Sequence, residues 1–195
     1  MLLIITRHGE TEENRNNIIQ GHLPGTLSGE GISQAKKVAL RLKTEKIDYI
    51  YASDLARAVD TAKEIAKYHP STPLQFVEEL REKNLGKWQG KERSELEAAK
   101  KQVGEGGLET VETPKEIFAR AEKFLHAVLS KHLHDTVLFV GHYGINKALI
   151  AAITGKGPQD IQGIEKPRNT SLSIFEIGEE KDHTIHLFNC VKHLE

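Results

Sequence analysis

The sequence predicts an α/β fold in which helices flank a mainly parallel β-sheet. Short apolar segments alternate along the chain with amphipathic segments of helical periodicity, as expected when each strand is joined to the next by a crossover helix. Two of the apolar segments, residues 2–5 and 136–140, lead into a polar turn that contains a histidine and a glycine. Because ligands of open α/β sheets bind beyond the carboxyl ends of the strands, these two turns are the first candidates for a functional site.

The first third of the chain reads as two strand and helix units. The opening four apolar residues favour a short buried strand. Apolar residues then recur at three- and four-residue steps over 32–44, which predicts an amphipathic helix with Ser28 as its N-cap. A second apolar run at 47–52 predicts the next strand, and the following helix is expected to start at 53–55 with Arg57 on its first turn.

The middle of the chain contains one further strand and two helices. Residues 73–77 can form the strand, and the charged segment 91–102 is expected to be helical. The glycines and acidic residues that follow predict a loop, so that segment 91–113 is either a mobile cover over the site or a surface excursion. A helix with one apolar face is expected from Pro114 to residue 129, because proline is favoured at the first helical position.

The last third of the chain completes the predicted sheet. The β-branched run at 136–140 predicts a strand, and 145–153 predicts the helix after it. Residues 171–177 and 184–188 alternate in polarity well enough for two late strands, which an acidic turn at 178–182 would join.

Length and charge set limits on the class of protein. A chain of 195 residues suits one domain over 1–195 rather than two. Lys and Arg number 27 against 28 Asp and Glu, so no bulk positive field points to nucleic acid or an anionic membrane as a partner. The longest apolar runs are far shorter than the roughly 20 residues that span a bilayer. The expected partner is a small metabolite, and a homodimer is compatible with the sequence.

The start of the chain and its single cysteine favour a cytoplasmic location. The first predicted strand begins at residue 2, which leaves no room for a signal peptide. Cys190 alone can form neither an intrachain disulfide nor a cysteine-based zinc site. The remaining histidines show no metal-ligand spacing, so neither a metal nor another cofactor is predicted.

The turn after the first strand carries the main functional prediction. An imidazole at His8 can act as a nucleophile, and a guanidinium beside it at Arg7 can hold a phosphate by two parallel hydrogen bonds. The order Arg-His-Gly-Glu-Thr over 7–11, with Asn14 six residues after the histidine, resembles the histidine phosphatase superfamily, the phosphoglycerate mutase-like enzymes. This resemblance implies a three-layer α/β sandwich. Within the family, the chain is similar to the phosphatase branch that includes α-ribazole phosphatase and broad-specificity phosphatases.

A second arginine and an acid are taken from the same resemblance. Arg57 stands at a predicted helix start, where N–H groups favour an anion, although an arginine taken alone is usually a solvated surface residue. The order Ser-Asp-Leu-x-Arg resembles the family's second phosphate-binding arginine. Several carboxylates near residue 80 leave the acid ambiguous from chemistry alone. The family's Leu-x-Glu step, four residues before a glycine, selects Glu82, with Glu79 as the fallback.

The second strand that ends in a histidine supplies the remaining site residues. A lone histidine after a strand is more often structural than catalytic. Because His142 pairs with His8 and matches the family's Gly-His-x-Gly step, it is predicted to bind phosphate and to stabilise transferring charge. By resemblance, the substrate-binding set is completed by the side chains of Thr11 and Asn14, the backbone of Gly21, and Tyr143.

Together these residues predict metal-independent hydrolysis of a small phosphate monoester. Neutral His8 would attack phosphorus to form a phosphohistidine, and Glu82 would protonate the leaving group. The phosphoryl group would be held by Arg7, Arg57 and His142. One alternative is phosphoryl transfer of the cofactor-dependent phosphoglycerate mutase type, although those mutases are generally longer between the acid and the second histidine. The other alternative is a non-catalytic phosphate-binding module, which would be expected to lack one of these residues.

Overall fold

The structure of the chain is a computed structural model that describes residues 1–104, 108, 110–178 and 182–195. Within these residues, one sheet of six strands forms the centre of the fold. Its strands are β1 (Leu2–Arg7), β2 (Tyr49–Ser53), β3 (Leu74–Val77), β4 (Thr136–Gly141), β5 (Leu172–Ile177) and β6 (His183–Cys190). Their order across the sheet is β3-β2-β4-β1-β5-β6. Strands β1 to β4 are parallel and only the β5 and β6 pairings are antiparallel, so the sheet is mainly parallel, as predicted.

Helices cover both faces of this sheet. The α-helices of the described residues are α1 (Glu12–Arg15), α2 (Gly29–Leu42), α3 (Ala56–Ala66), α4 (Arg93–Val103), α5 (Pro114–Leu129) and α6 (Tyr143–Ile153), of which α2, α3, α5 and α6 pack on the sheet. The apolar faces of α5 and α6 pack on one side in a cluster that includes Leu3 and Phe139, whereas α2 and α3 pack on the other side around Ile4 and Leu138. Successive residues of a strand face opposite sides, which is why neighbouring residues belong to different clusters. The predicted three-layer sandwich is confirmed.

The starts of two helices match their prediction from sequence. The hydroxyl of Ser28 accepts the N–H of Gly31 at 3.0 Å, so α2 begins at Gly29. The hydroxyl of Thr113 accepts the N–H of Glu116 at 3.2 Å, and the carboxylate of Glu116 accepts the N–H of Thr113 at 2.7 Å. This capping box starts α5 at Pro114.

Two other helices begin at a different residue from the one predicted. The helix expected from 53–55 begins at Ala56, because Ser53 ends β2 and its hydroxyl accepts the N–H of Leu55 at 3.3 Å. The helix expected over 145–153 begins at Tyr143, two residues earlier. Helix α6 therefore starts directly after His142, and its first N–H groups lie at the carboxyl edge of the sheet.

The segment proposed as a cover lies against the loop that follows α1. The N–H of Ile19 donates to the carbonyl of Lys91 at 2.8 Å, and the N–H of Arg93 donates to that of Asn17 at 2.9 Å. Leu96 of α4 packs with Ile19 in an apolar cluster separate from the two main cores. Residues 105–107 and 109, which belong to the same predicted segment, lie outside the described residues.

The two late strands form as predicted, and β6 lies at one edge of the sheet. Residues 179–181 of the acidic turn between them lie outside the described residues. In the part of the chain that the structure describes, no helix has both the length and the apolar character needed to cross a membrane.

Candidate active site

The two histidines that end strands are brought together by the register of the sheet. In the parallel pair of β1 and β4, Arg7 lies opposite Gly141, so His8 and His142 leave the sheet side by side. The N–H of His8 donates to the carbonyl of Gly141 at 3.1 Å, and the centroids of the two imidazole rings are 5.0 Å apart. Both side chains are buried. This is the edge of the sheet at which the sequence predicts a ligand.

Arg57 lies between these two imidazoles. It is the second residue of α3, and its side chain reaches back to the sheet edge, where it is almost fully buried. Its Nε–H donates to Nε2 of His8 at 3.3 Å and to Nδ1 of His142 at 3.2 Å. One N–H is thus shared by the two histidines, and the three predicted residues form one contiguous cluster.

The terminal nitrogens of Arg57 hold the loop at 21–24. Nη1 donates to the carbonyls of Leu23 at 2.5 Å and Pro24 at 3.1 Å, and Nη2 donates to the carbonyl of Gly21 at 2.9 Å. Gly21 has φ +51°, and a β-carbon there would collide with the side chain of Gln89. Burial lowers the pKa of Arg57 to about 10, with Glu82 acting in the opposite direction, so the guanidinium stays charged at neutral pH.

Hydrogen bonds determine which nitrogen of His8 carries the lone pair. Nδ1 lies 2.7 Å from the carbonyl oxygen of Gly9. A carbonyl only accepts, so Nδ1 carries the proton and Nε2 carries the lone pair. Burial lowers the pKa of His8 well below its ordinary value, and the positive charges of Arg57 and Arg7 lower it further. His8 is therefore a neutral imidazole whose Nε2 faces the cluster.

The opposite tautomer follows for His142. An arginine N–H can only donate, so Nδ1 of His142 accepts from Arg57 and the proton of the neutral ring lies on Nε2. Among the described residues this buried Nε2 has no hydrogen-bond partner. Burial and then the charge of Arg57 lower the pKa of His142 well below its ordinary value. His142 therefore offers an N–H donor where His8 offers a lone pair.

Arg7 lies on the other side of His8, at the end of β1. Its Nη1 donates to the carbonyl of Pro167 at 3.1 Å, and its guanidinium lies 5.9 Å from the ring centroid of Tyr143. Burial lowers the pKa of Arg7, and the nearby carboxylate of Glu82 opposes that effect. The same Tyr143 ring lies 5.3 Å from the ammonium of Lys147, a buried cation that the sequence did not single out.

The predicted acid lies at the amino end of α6. Oε1 of Glu82 accepts the N–H of Gly144 at 2.7 Å and the N–H of Lys83 at 2.8 Å. A β-carbon on Gly144 would collide with that oxygen, which explains the glycine two residues after His142. Glu82 lines the same cavity as His8, whereas the fallback residue Glu79 is exposed and does not line it.

Of Thr11 and Asn14, which contact each other, only Asn14 lines the cavity. They form the capping box of α1, in which the Thr11 hydroxyl accepts the N–H of Asn14 at 3.1 Å and Asn14 Oδ1 accepts the N–H of Thr11 at 3.3 Å. Asn14 lines the cavity, as does Gly21, but Thr11 is fully buried and does not. The helix cap uses the hydroxyl of Thr11, and a contact between this side chain and the substrate stays a prediction. The observed role of the side chain is to hold Asn14.

Two supporting residues were missed by the sequence analysis. Nδ2 of Asn169 donates to the carbonyl of His8 at 2.9 Å, and Nε2 of His22 lies 2.8 Å from the carbonyl of Glu82. These contacts join segments that are 161 and 60 residues apart. Neither residue follows a strand or starts a helix, so spacing gave no signal for them.

Arg7, His8 and Arg57 line the floor of a cavity of about 1200 Å³, whereas the fully buried His142 is not among its lining residues. Apolar side chains of Ile19, Leu85 and Leu96 form part of its wall. The exposed side chains of Arg93 and Arg168 lie around it. The cavity therefore combines a cationic floor with a partly apolar wall and has room for an organic group beyond a phosphate.

Comparison with known proteins agrees with this geometry. The model of the histidine phosphatase superfamily (branch 1) matches residues 3–191. The chain belongs to this superfamily. It is 31% identical over 203 residues to phosphoglycerate mutase-like protein 4 of Arabidopsis thaliana, covering 99% of this chain and 86% of that protein. It is also 31% identical to putative phosphoserine phosphatase 2 of Hydrogenobacter thermophilus, covering 95% and 94% of the two chains.

Solved structures of the superfamily share the fold. The alpha-ribazole phosphatase of Shigella flexneri superposes with a TM-score of 0.87 at 27% identity, covering 97% of this chain and 96% of that one. The predicted similarity to the phosphatase branch of the superfamily is thus confirmed.

Proposed function

We propose that this protein hydrolyses a small phosphate monoester through a phosphohistidine on His8. The observation that carries the proposal is the pairing of the two buried imidazoles across Arg57, with a lone pair on Nε2 of His8 and an N–H on Nε2 of His142. One nitrogen can attack phosphorus while the other donates to a phosphoryl oxygen. The relatives named as phosphatases support this assignment.

In the first step, Nε2 of His8 attacks phosphorus and the bond from phosphorus to the ester oxygen breaks. The phosphoryl group moves to Nε2, and the positive charge that develops on the ring is shared through Nδ1–H with the carbonyl of Gly9. The departing alkoxide takes a proton from Glu82. Both N–H donors to Glu82 bind Oε1, which leaves Oε2 to carry that proton.

In the second step, water attacks the phosphohistidine and His8 leaves with its electron pair. The carboxylate of Glu82 takes a proton from this water, which restores the starting protonation states of both residues. Inorganic phosphate is the product. Arg7, Arg57 and the Nε2–H of His142 stabilise the negative charge on the equatorial oxygens in both steps.

This scheme asks for no bound metal, because two guanidinium groups and an imidazole N–H supply the positive charge that a divalent cation supplies in other phosphatases. It treats residues 1–195 as one catalytic domain, with Leu96, Leu108 and Val111 of segment 91–113 lining the cavity. A cytoplasmic location for the activity stays a prediction of the sequence.

The proposal is tested by measuring phosphate release from a panel of small monoesters in excess chelator. We expect release that depends on His8, so that His8→Ala has no activity above background. Release that requires an added divalent cation would contradict the scheme. If folded protein releases no phosphate from any ester of the panel, a non-catalytic module is favoured. If it isomerises phosphoglycerates faster than it releases phosphate, a mutase is favoured.

A further inference from the structure

Arg120 on α5 holds residues 79–82, which we call the acid segment because they end at Glu82, to the body of the protein. Its Nη1 donates to the carbonyls of Glu79 at 2.7 Å and Arg81 at 2.9 Å, and its Nη2 lies 3.4 Å from the carbonyl of Glu82. The same guanidinium binds Glu112, with both carboxylate oxygens 2.9 Å from Nη2. One side chain therefore binds three carbonyls in the four residues that end at the acid.

Glu112 extends this connection to the other side of the acid. Its Oε2 accepts the N–H of Asn84 at 3.0 Å, and its own N–H donates to the carbonyl of Asn84 at 2.9 Å. Residues 81–85 belong to neither a helix nor a strand. The path of the backbone on both sides of Glu82 is thus set by contacts with Arg120 and Glu112 rather than by regular secondary structure.

Arg120 is separated from the reacting atoms. It does not line the cavity, and its contacts with the acid segment are with backbone carbonyls. The ion pair with Glu112 is mostly buried, with 22% of the Arg120 side chain and 14% of the Glu112 side chain exposed. A salt bridge of this kind is costly to break on one side, because the partner is left with an uncompensated charge.

We propose that Arg120, held by Glu112, is the positioning residue for the general acid Glu82. It fixes the backbone so that the Glu82 carboxylate reaches the amino end of α6 and faces the leaving group. This inference rests on the proposed function, since it assumes that Glu82 donates the proton. It predicts that loss of Arg120 impairs proton donation and spares nucleophilic attack by His8.

The test compares two leaving groups by kcat/KM, which reports on the steps up to departure of the alcohol. An alkyl phosphate expels a strongly basic alkoxide and needs the proton, whereas 4-nitrophenyl phosphate expels a weakly basic phenolate and needs it little. For Arg120→Met we expect a loss of about 10- to 100-fold on the alkyl ester, as for a misplaced catalytic group, and a loss under about threefold on the aryl ester. Arg120→Lys should recover part of the alkyl activity.

The matched control is Arg41→Met, which removes a surface pair with Glu45 and touches no residue of the site. It should leave both activities unchanged. If Arg120→Met fails to fold, Glu112→Gln is the second variant, because its amide oxygen can still accept from Asn84 while its charge on Arg120 is lost. It should show the same leaving-group selectivity on a smaller scale.

The variant Glu82→Gln distinguishes a failure of the positioning role of Arg120 from a failure of the acid role of Glu82. If Glu82→Gln loses alkyl activity selectively but Arg120→Met loses both activities equally, or neither, the positioning role is overturned. If Glu82→Gln itself shows no selectivity between the esters, the acid assignment in the proposed function fails first. In the double variant we expect no further loss on the alkyl ester beyond that of Glu82→Gln.

Discussion

Nδ1 of His8 lies 2.7 Å from the carbonyl oxygen of Gly9, its neighbour in the chain. This short contact fixes the tautomer of the ring and leaves Nε2, the atom next to Arg57, with the lone pair. The chemistry of the site depends on this arrangement, because an imidazole protonated at Nε2 has no lone pair on that nitrogen with which to attack phosphorus.

The buried histidines predict that the protein is less stable in mild acid. Burial lowers the pKa of His8 and of His142 well below the ordinary value near 6.5, so the unfolded chain binds protons that the folded protein does not. The free energy of unfolding should therefore fall as pH falls below about 6.5, by at most about 1.4 kcal/mol per pH unit for each histidine. Urea denaturation between pH 5 and 8 measures this slope.

The same experiment has an internal comparison. The double variant His8→Asn, His142→Asn should have a shallower slope than the parent protein, with the remaining dependence coming in part from His69 and His193, whose pKa values burial also lowers. An unchanged slope in the double variant would show that the two site histidines are not the groups responsible.

Replacement of Gly144 by alanine should selectively impair proton donation by Glu82. In Gly144→Ala the new methyl group would collide with Oε1 of Glu82 and displace the carboxylate from the amino end of α6. We expect kcat/KM to fall at least about tenfold on alkyl phosphates, with a smaller effect on 4-nitrophenyl phosphate. Gly29→Ala is the control, since a β-carbon there has open space. Equal kinetics for the two variants would rule out the steric explanation.

Arg57 has both a chemical and a structural role, and a lysine cannot replace it. Lysine lacks the fork that binds the carbonyls of Gly21, Leu23 and Pro24 while it contacts both histidines. For Arg57→Lys we expect phosphatase activity to fall by at least about 100-fold and the free energy of unfolding to fall by about 2–4 kcal/mol. Urea denaturation and phosphate release measure the two effects, with Arg41→Lys as the surface control. A variant with parental stability would contradict the loop-holding role.

The sequence predicts that His8, His142 and Arg57 lie close together, because each of them is tied to a local signal. His8 and His142 each directly follow a β-branched or apolar strand, and Arg57 stands at a helix start after another strand. In a parallel sheet those positions converge on one edge, so three separate segments could be placed together without coordinates.

The contacts that the sequence does not indicate depend mainly on long-range packing. Arg120 lies 38 residues from Glu82 and contacts only backbone near it, so no side-chain pattern marks the pair. The helix cap that the Thr11 hydroxyl forms with the N–H of Asn14 was also visible only in the structure. The sequence also does not show why residue 144 is a glycine, because the atom that a β-carbon there would collide with belongs to Glu82.

The most direct test of the central claim is to trap the phosphoenzyme and identify the phosphorylated atom. The enzyme would be quenched in base during turnover of a labelled monoester, and the product examined by phosphorus NMR and by peptide mapping. We expect one acid-labile phosphohistidine, on Nε2 of His8, and none in His8→Ala. Phosphate on Nδ1, on another residue, or still present in His8→Ala would contradict the account.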